Sequence, residues 1–144
     1  ISKSQIDQWV AEGVVRYLGV SDDVRVEIAN ADCIVLPSFY REGTPKALLE
    51  AAAMARPIIT TDSVGCADVV DDCINGFICR PSDVPDLVSK MEKMIALGHA
   101  GREAMGRRGR EKMEREFDDK IVIGKYIEAI AGLVEECIPN SHSR

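Results

Sequence analysis

The sequence predicts an α/β fold, a doubly wound parallel sheet with a helical C-terminal tail, and three observations carry that expectation. Short runs of strand length alternate with helical segments, the pattern of a parallel sheet with helices on its faces. The run Cys33-Ile34-Val35-Leu36 is apolar throughout, as a buried strand is. From residue 84 onward no strand-like run occurs, so the last third is helical and packs across the sheet.

Taken in order, helix is expected near Ser4–Glu12 and strand at Val14–Leu18. A second helix follows at Asp23–Asn30, capped by Asp22 or Asp23. Strand Cys33–Leu36 leads to helix Pro45–Ala55, strand Pro57–Thr61 to a short helix Cys66–Val70, and the Asn75-Gly76 turn to strand Gly76–Cys79. Ser82 or Asp83 caps helix Val84–Leu97, and helices Gly101–Glu116 and Asp119–Glu136 complete the tail, with Gly98, Gly101, Gly106 and Gly109 blurring its boundaries. Residues 1–144 form a single domain without internal repeat or linker. The chain opens on a helix that follows no strand and lacks an initiator Met; the expectation is therefore a fragment lacking its first βαβ unit.

Composition narrows the classes. With 144 residues, 46% hydrophobic and 29% charged, the chain can bury a core and is neither disordered nor membrane-spanning. A net charge of -6 argues against nucleic-acid binding, which needs clustered excess Lys and Arg. The one basic stretch, Arg102 to Arg115, also carries Glu103, Glu111 and Glu114 and reads as a solvated helix face. Five cysteines with no C-x-x-C pair indicate neither a disulfide framework nor a zinc ribbon, and fit a reducing cytosol. Cys33 reads as core packing, and His99 and His142 as neither ligand nor base.

The segment Tyr40-Arg41-Glu42-Gly43-Thr44-Pro45-Lys46-Ala47-Leu48-Leu49-Glu50 carries the chemistry. Ligands of open α/β sheets bind outside the carboxyl ends of the strands, and residues 37–43 form such a loop. Thr44 reads as an N-cap and Pro45 as the first helical residue, where a missing N–H costs nothing. Such a helix start attracts an anion through its free amides and positive dipole end; Pro45 donates nothing, so the donors are Thr44, Lys46 and Ala47. Lys46 opposes the dipole and precedes Glu50 in the weaker i,i+4 orientation, so it either faces a bound phosphate or points to water.

Glu50 is flanked by Ala47-Leu48-Leu49 and Ala51-Ala52-Ala53-Met54-Ala55, and a carboxylate on so apolar a helix needs partners. Vicinal ribose hydroxyls would supply them; so would Lys46 or a backbone amide from elsewhere. The eight-residue interval between Glu42 and Glu50 recurs at Glu103–Glu111 and Glu128–Glu136, so the interval itself identifies nothing. Those pairs lack the preceding strand, the Gly-Thr-Pro helix start and the apolar surround, and read as solvated faces.

With these residues in place, the chain resembles the C-terminal, donor-binding lobe of retaining glycosyltransferases of the GT-B fold, glycosyltransferase family 4 (glycosyl transferases group 1). The matching residues are Tyr17-Leu18-Gly19, Ala31-Asp32-Cys33-Ile34-Val35-Leu36-Pro37-Ser38, Arg41 through Ala51, Arg56-Pro57-Ile58-Ile59-Thr60-Thr61-Asp62, Gly65-Cys66 and Asn75-Gly76-Phe77. They keep a consistent order across residues 14–137. The Arg-Glu-Gly-Thr-Pro form is similar to bacterial enzymes of capsular, exopolysaccharide and lipopolysaccharide synthesis.

The resemblance implies a Rossmann-like sheet and a parent enzyme of the hexosyltransferase type (EC 2.4), moving a sugar from a nucleotide-sugar to a glycan or lipid-linked acceptor. It implies that Glu42 is the catalytic carboxylate holding hydroxyls of the donor sugar. Gly43, Thr44, Lys46 and Ala47 would hold sugar and diphosphate, Glu50 the ribose, and Leu18, Gly19 and Val20 the nucleobase. Front-face attack, assisted by the departing phosphate, would retain anomeric configuration without a protein nucleophile. No cofactor and no metal are expected; Asp22-Asp23 and Asp71-Asp72 are adjacent pairs that read as cap and turn residues. The expected location is cytoplasmic, with peripheral contact of the parent at the inner membrane face, and no nucleic acid is a partner.

Two departures from the family pattern stand. Ala67-Asp68 occupies the place of a frequent Arg-Glu pair, so neither inherits a role. The family's basic phosphate-binding residues lie in the first βαβ unit and the acceptor in the other lobe, so the fragment alone is expected to be inactive. The alternative is a non-catalytic Rossmann-like nucleotide-binding or interaction module. A nicotinamide-binding domain would need G-x-G-x-x-G after its first strand, and none is present.

Overall fold

The computed structural model describes residues 1–40 and 43–137. The elements run α1 (Lys3–Ala11), α2 (Arg25–Asn30), β1 (Ile34–Leu36), α3 (Lys46–Ala53), β2 (Ile58–Thr61), β3 (Gly76–Cys79), α4 (Val84–Ala96), α5 (Gly98–Glu116) and α6 (Asp119–Cys137). The strands form one parallel sheet in the order β1-β2-β3, with Ile34 opposite Ile58, Ile58 opposite Gly76 and Thr61 opposite Cys79.

Strand β2 is central and buried at every position. Its Ile58 faces a core of Leu48, Ala51, Ala52, Cys66, Val69, Val70 and Met113, while Ile59 faces Phe77, Met94 and Met105 on the other side, the two-residue alternation of a strand covered on both faces. Thr60 and Thr61 are buried too, which is tolerable because each hydroxyl donates to a carbonyl of β1 or the loop that follows it: Thr60 Oγ1 to Leu36 O at 2.9 Å, and Thr61 Oγ1 to Ser38 O. These bonds tie the end of β2 to the loop that leads into α3. Cys33 packs beside the second core, and burial pushes its thiol up to about 11, so it is an inert packing group.

Two expected elements are absent. Residues 14–18 are no strand: every residue of 11–20 is exposed, and Val14 N–H turns back to Trp9 O at 2.9 Å, because an apolar run forms a strand only where a sheet edge receives it. Residues 66–70 are successive turns, with Cys66 N–H and Ala67 N–H both reaching Ser63 O at 3.1 and 3.0 Å; Gly65 at φ +84° sets that bend. Other boundaries shift by one to three residues at most, while β3 and the Asp83 cap of α4, which accepts from Asp86 N–H at 2.9 Å, match expectation.

The basic stretch on α5 is not merely a solvated face. Lys112 is only 6% exposed and its Nζ lies 2.8 Å from Asp71 Oδ1. Arg102 donates to Asp32 at 3.0 Å and Arg110 to Ala53 O at 2.7 Å, so these cations clamp α5 to the strand and helix ends beneath it. Sequence spacing shows only which helical residues are charged, not which carbonyls lie beneath them.

Asn75 holds the turn before β3. It is fully buried; its Oδ1 accepts from Asp71 N–H at 2.7 Å and its Nδ2 donates to Val69 O at 3.0 Å. Asn75→Ala leaves two backbone groups without partners, and the expected loss of stability is about 2 kcal/mol. Urea unfolding followed by circular dichroism measures it, and an unchanged midpoint would show that the turn holds without the amide. Among the described residues no helix is long and apolar enough to cross a membrane.

Candidate functional site

Helix α3 begins one residue later than expected. Pro45, not Thr44, occupies the N-cap, with φ -63° and ψ 126° and no side-chain cap bond. Proline's fixed φ suits either position, and the extended ψ makes it the last residue outside the helix. The first intrahelical donors are Leu48 N–H and Leu49 N–H, both to Pro45 O at 3.0 and 3.3 Å. Among the described residues the amides of Lys46 and Ala47 make no hydrogen bond to a carbonyl, as the first donors of a helix do not.

Glu50 lies one turn along the same helix, with its side chain 31% exposed. Its Oε1 pairs with Lys46 Nζ at 3.4 Å, and the Lys46 side chain is 87% exposed. The helix is therefore not apolar all round: Leu48, Ala51 and Ala52 are buried while Lys46, Ala47 and Glu50 border solvent. Of the two partners open to Glu50 within the chain, Lys46 is the one it takes. An exposed pair of this kind contributes roughly 0–1 kcal/mol, so a ligand can displace it readily.

Lys46 and Glu50 line one wall of a cavity of about 420 Å3 whose other wall is Ser21, Asp22, Asp23, Val24 and Arg25, the approach to α2. Asp23 accepts from Arg25 three times, from N–H at 3.0 Å, Nε at 2.8 Å and the terminal nitrogen at 2.7 Å. The side-chain bonds to Arg25 come first in holding the Asp23 carboxyl down to about 2. Sequence reasoning assigned Asp22 and Asp23 to capping and missed their place in this wall; the acid pair close before a short helix was the available signal. Val24, not an aspartate, holds the N-cap of α2 and makes no side-chain cap bond, so the expected cap is not formed; Asp23 stands one residue earlier and binds Arg25 N–H instead.

The charges are distributed unevenly. Three carboxylates and two cations line the cavity, with Asp23 bound to Arg25 and Glu50 to Lys46. Acids suit hydroxyl donors, whereas the free amides and Lys46 at the helix start suit an anion. The cavity thus sets acids beside cations on both walls, Glu50 with Lys46 on one and Asp22 and Asp23 with Arg25 on the other, and offers partners for hydroxyls and for an anion side by side.

The other expected site residues fall as follows. Gly43 and Ala47 are exposed and Thr44 half-buried at the same helix start. Leu18, Gly19 and Val20 form an exposed segment running directly into the wall at Ser21, but none of the three lines the cavity. Gly19 has φ +79°, which bends that segment. Glu42, with Arg41, lies outside the described residues, as does His142. His99 is exposed at the start of α5, away from this cavity. Among the described residues no three His, Cys, Asp or Glu side chains gather as a metal centre would require.

Comparison with known proteins places this geometry in context. The family model described as glycosyl transferases group 1 matches residues 2–96. The chain is 32% identical over 88 residues, 61% of its length, to the N,N'-diacetylbacillosaminyl-diphospho-undecaprenol alpha-1,3-N-acetylgalactosaminyltransferase of Campylobacter jejuni, covering 23% of that protein. It is 34% identical over 93 residues, 65% of its length, to the capsular polysaccharide biosynthesis glycosyltransferase CapM of Staphylococcus aureus, covering 24% of it. The chain thus spans about a quarter of the length of these relatives. Among solved structures, the sucrose-phosphate synthase of Thermosynechococcus elongatus superposes with a TM-score of 0.81 at 21% identity, over 93% of this chain and 34% of the other. Anabaena HepE in complex with UDP superposes with a TM-score of 0.80 at 19% identity, over 90% and 36%. At these identities the likeness is one of fold.

Proposed function

Because the chain belongs to the glycosyl transferases group 1 family, we propose that it is the donor-binding part of a retaining glycosyltransferase that passes a sugar from a nucleotide-sugar to a glycan or lipid-linked acceptor in bacterial surface-polysaccharide synthesis. The observation that carries this reading is the juxtaposition at α3: Lys46 and Glu50 of the helix start line a cavity opposite Asp22, Asp23 and Arg25, so acids and cations stand together in it. A nucleoside diphosphate carries both kinds of matching group, ribose hydroxyls and phosphates. The UDP complex of Anabaena HepE, which shares the fold, points to the same ligand class.

In this reading Glu50 exchanges Lys46 for the vicinal ribose hydroxyls. Lys46, released, turns to the diphosphate beside the amides of Lys46 and Ala47, with Gly43 and Thr44 leaving the approach open. Leu18, Gly19 and Val20 frame the base, and Glu42 holds hydroxyls of the donor sugar. Charge growing on the leaving diphosphate is stabilised by the helix start and the ammonium group, so the chemistry asks for neither a protein nucleophile nor a divalent metal. The proposed setting is the cytoplasmic side of a bacterial inner membrane.

The experiment is a calorimetric screen of UDP-, GDP- and ADP-sugars with and without EDTA, followed by the anomeric configuration of the product formed by a full-length enzyme carrying this lobe. Saturable binding that survives EDTA and a retained configuration are expected; an inverted product would overturn the retaining assignment. Within that enzyme, Glu42→Ala is expected to lower discrimination between epimeric donors about tenfold, because a hydrogen bond left unmade no longer penalises the wrong hydroxyl. Unaltered epimer preference would remove Glu42 from the sugar site. Absence of nucleotide binding altogether would favour the non-catalytic interaction module.

A further inference from the structure

The sheet ends at β1 on one side and at β3 on the other, and the chain treats these edges differently. Along a strand paired on one side only, alternate residues turn their N–H and C=O groups outward, where they form a template for another strand. Asp62 N–H donates to Cys79 O at 3.0 Å, so Cys79 and, by alternation, Phe77 bond toward β2, while Gly76, Ile78 and Arg80 face out. Those outward groups already have partners. Cys73 N–H donates to Gly76 O at 2.9 Å, Ile78 N–H to Asp72 Oδ1 at 2.8 Å, and Arg80 N–H to Asp86 Oδ2 at 2.8 Å. A carboxylate from the turn before β3 and one from the first turn of α4 thus take the amides that a neighbouring strand would bond.

Both carboxylates are held where they stand. Lys90 Nζ lies 3.9 Å from Asp72 Oδ2, and the same ammonium group sits 5.9 Å from the centroid of the Phe77 ring. Arg80 Nε lies 3.6 Å from Asp86 Oδ2, and the backbone bond from Arg80 holds the Asp86 carboxyl below its usual range, so it remains an acceptor at neutral pH. The strand they border, Gly76-Phe77-Ile78-Cys79, has neither charge nor proline to repel a partner. The outer edge of β1 is the contrast: Val35 is 37% exposed there beside Met91 and Ile95, and among the described residues no carboxylate bonds an amide of Cys33, Ile34, Val35 or Leu36.

We infer that Asp72 and Asp86 are edge guards, which stand in for a strand beside β3 and close that edge to a second copy of this chain. The second copy is the partner because the outward groups of β3 are self-complementary. An antiparallel pair about a two-fold axis at Ile78 lets the two Ile78 residues exchange both of their bonds, and sets Arg80 N–H of each copy against Gly76 O of the other. Removing the carboxylates frees those amides for that pairing. The inference does not depend on the glycosyltransferase reading.

The test uses the chain with Val35→Lys throughout, a charge that blocks the open edge at β1 so that association is read at β3. In that background Asp72→Ala with Asp86→Ala is compared with Asp72→Asn and Asp86→Asn, whose amide oxygen still accepts. Sedimentation velocity over a range of concentrations gives the oligomeric state, and amide-resolved hydrogen exchange reports on Ile78 and Arg80. The alanine pair is expected to exchange both amides about tenfold faster when dilute, to self-associate about tenfold more tightly than the background, and to regain protection at Ile78 and Arg80 as it does so. The asparagine pair is expected to behave as the background. Circular dichroism checks the fold, and should the double alanine variant lose it, Asp72→Ala and Asp86→Ala are read singly in the same way. An alanine variant that is folded and no more associated than the background would overturn the inference, leaving the two acids as braces of the turn and of α4. Association that leaves Ile78 and Arg80 in fast exchange would overturn it equally, because the copies would then meet at another surface.

Discussion

Glu50→Gln is expected to weaken nucleoside-diphosphate binding by about ten- to a hundredfold, since hydrogen bonds to a charged group contribute about 1.5–3 kcal/mol. The substitution keeps shape and removes charge. The amide still accepts through one oxygen but presents N–H donors where the second hydroxyl's proton would sit, so it can serve one of the two ribose hydroxyls and not both. The fold should not notice, because what Glu50 gives up within the chain is the exposed pair with Lys46 at 3.4 Å. Titration calorimetry with UDP, beside thermal unfolding, separates the two effects. Equal affinity in the two proteins would leave Glu50 as nothing more than the ion-pair partner of Lys46.

Gly106→Val is expected to destabilise the chain by about 3 kcal/mol or more. A Cβ at Gly106 would stand 2.0 Å from Ala55 O, and Ala55 cannot easily retreat, being held at φ +55° in the turn that links α3 to β2. Overpacking alone costs about 1–3 kcal/mol, and here the obstacle is backbone rather than a flexible side chain; the valine's better helix propensity returns less than about 1 kcal/mol. Gly109 lies a turn closer to the end of the same helix, with open van der Waals distance of 3.8 Å from a Cβ to Ala52 and Asn75, so Gly109→Ala serves as the mild control. If Gly106→Val unfolded at the same urea concentration as the parent sequence, the close approach of α5 to the end of α3 would be wrong.

These glycines show where the sequence was legible and where it was not. Gly106 and Gly109 read as uncertainty about helix boundaries, yet α5 runs unbroken from Gly98 to Glu116, because the residues that weaken a helix in isolation are those that let it approach α3. Local propensity is visible in one sequence; the surface a helix meets is not. Strand β3 and the Asp83 cap were legible because Asn75-Gly76 and Ser82-Asp83 are turn and cap signals complete within a few residues. The apolar run at 14–18 misled because it has the composition of a strand, and composition carries no information about whether a sheet edge is there to receive it.

For the site, the pairing of a helix start with Lys46 and Glu50 was readable from one segment, as were the choices open to Glu50. Which choice it takes, and the opposite wall at Ser21–Arg25, depend on how α2 sits against α3, a relation between segments more than twenty residues apart.

The central claim is that a nucleoside diphosphate lies between α3 and the approach to α2. Amide-resolved NMR of this chain titrated with UDP tests it directly. The account predicts saturable shifts concentrated at Lys46, Ala47 and residues 21–25, with α5 and α4 silent. Shifts confined to other elements, or none at saturating UDP, would contradict it.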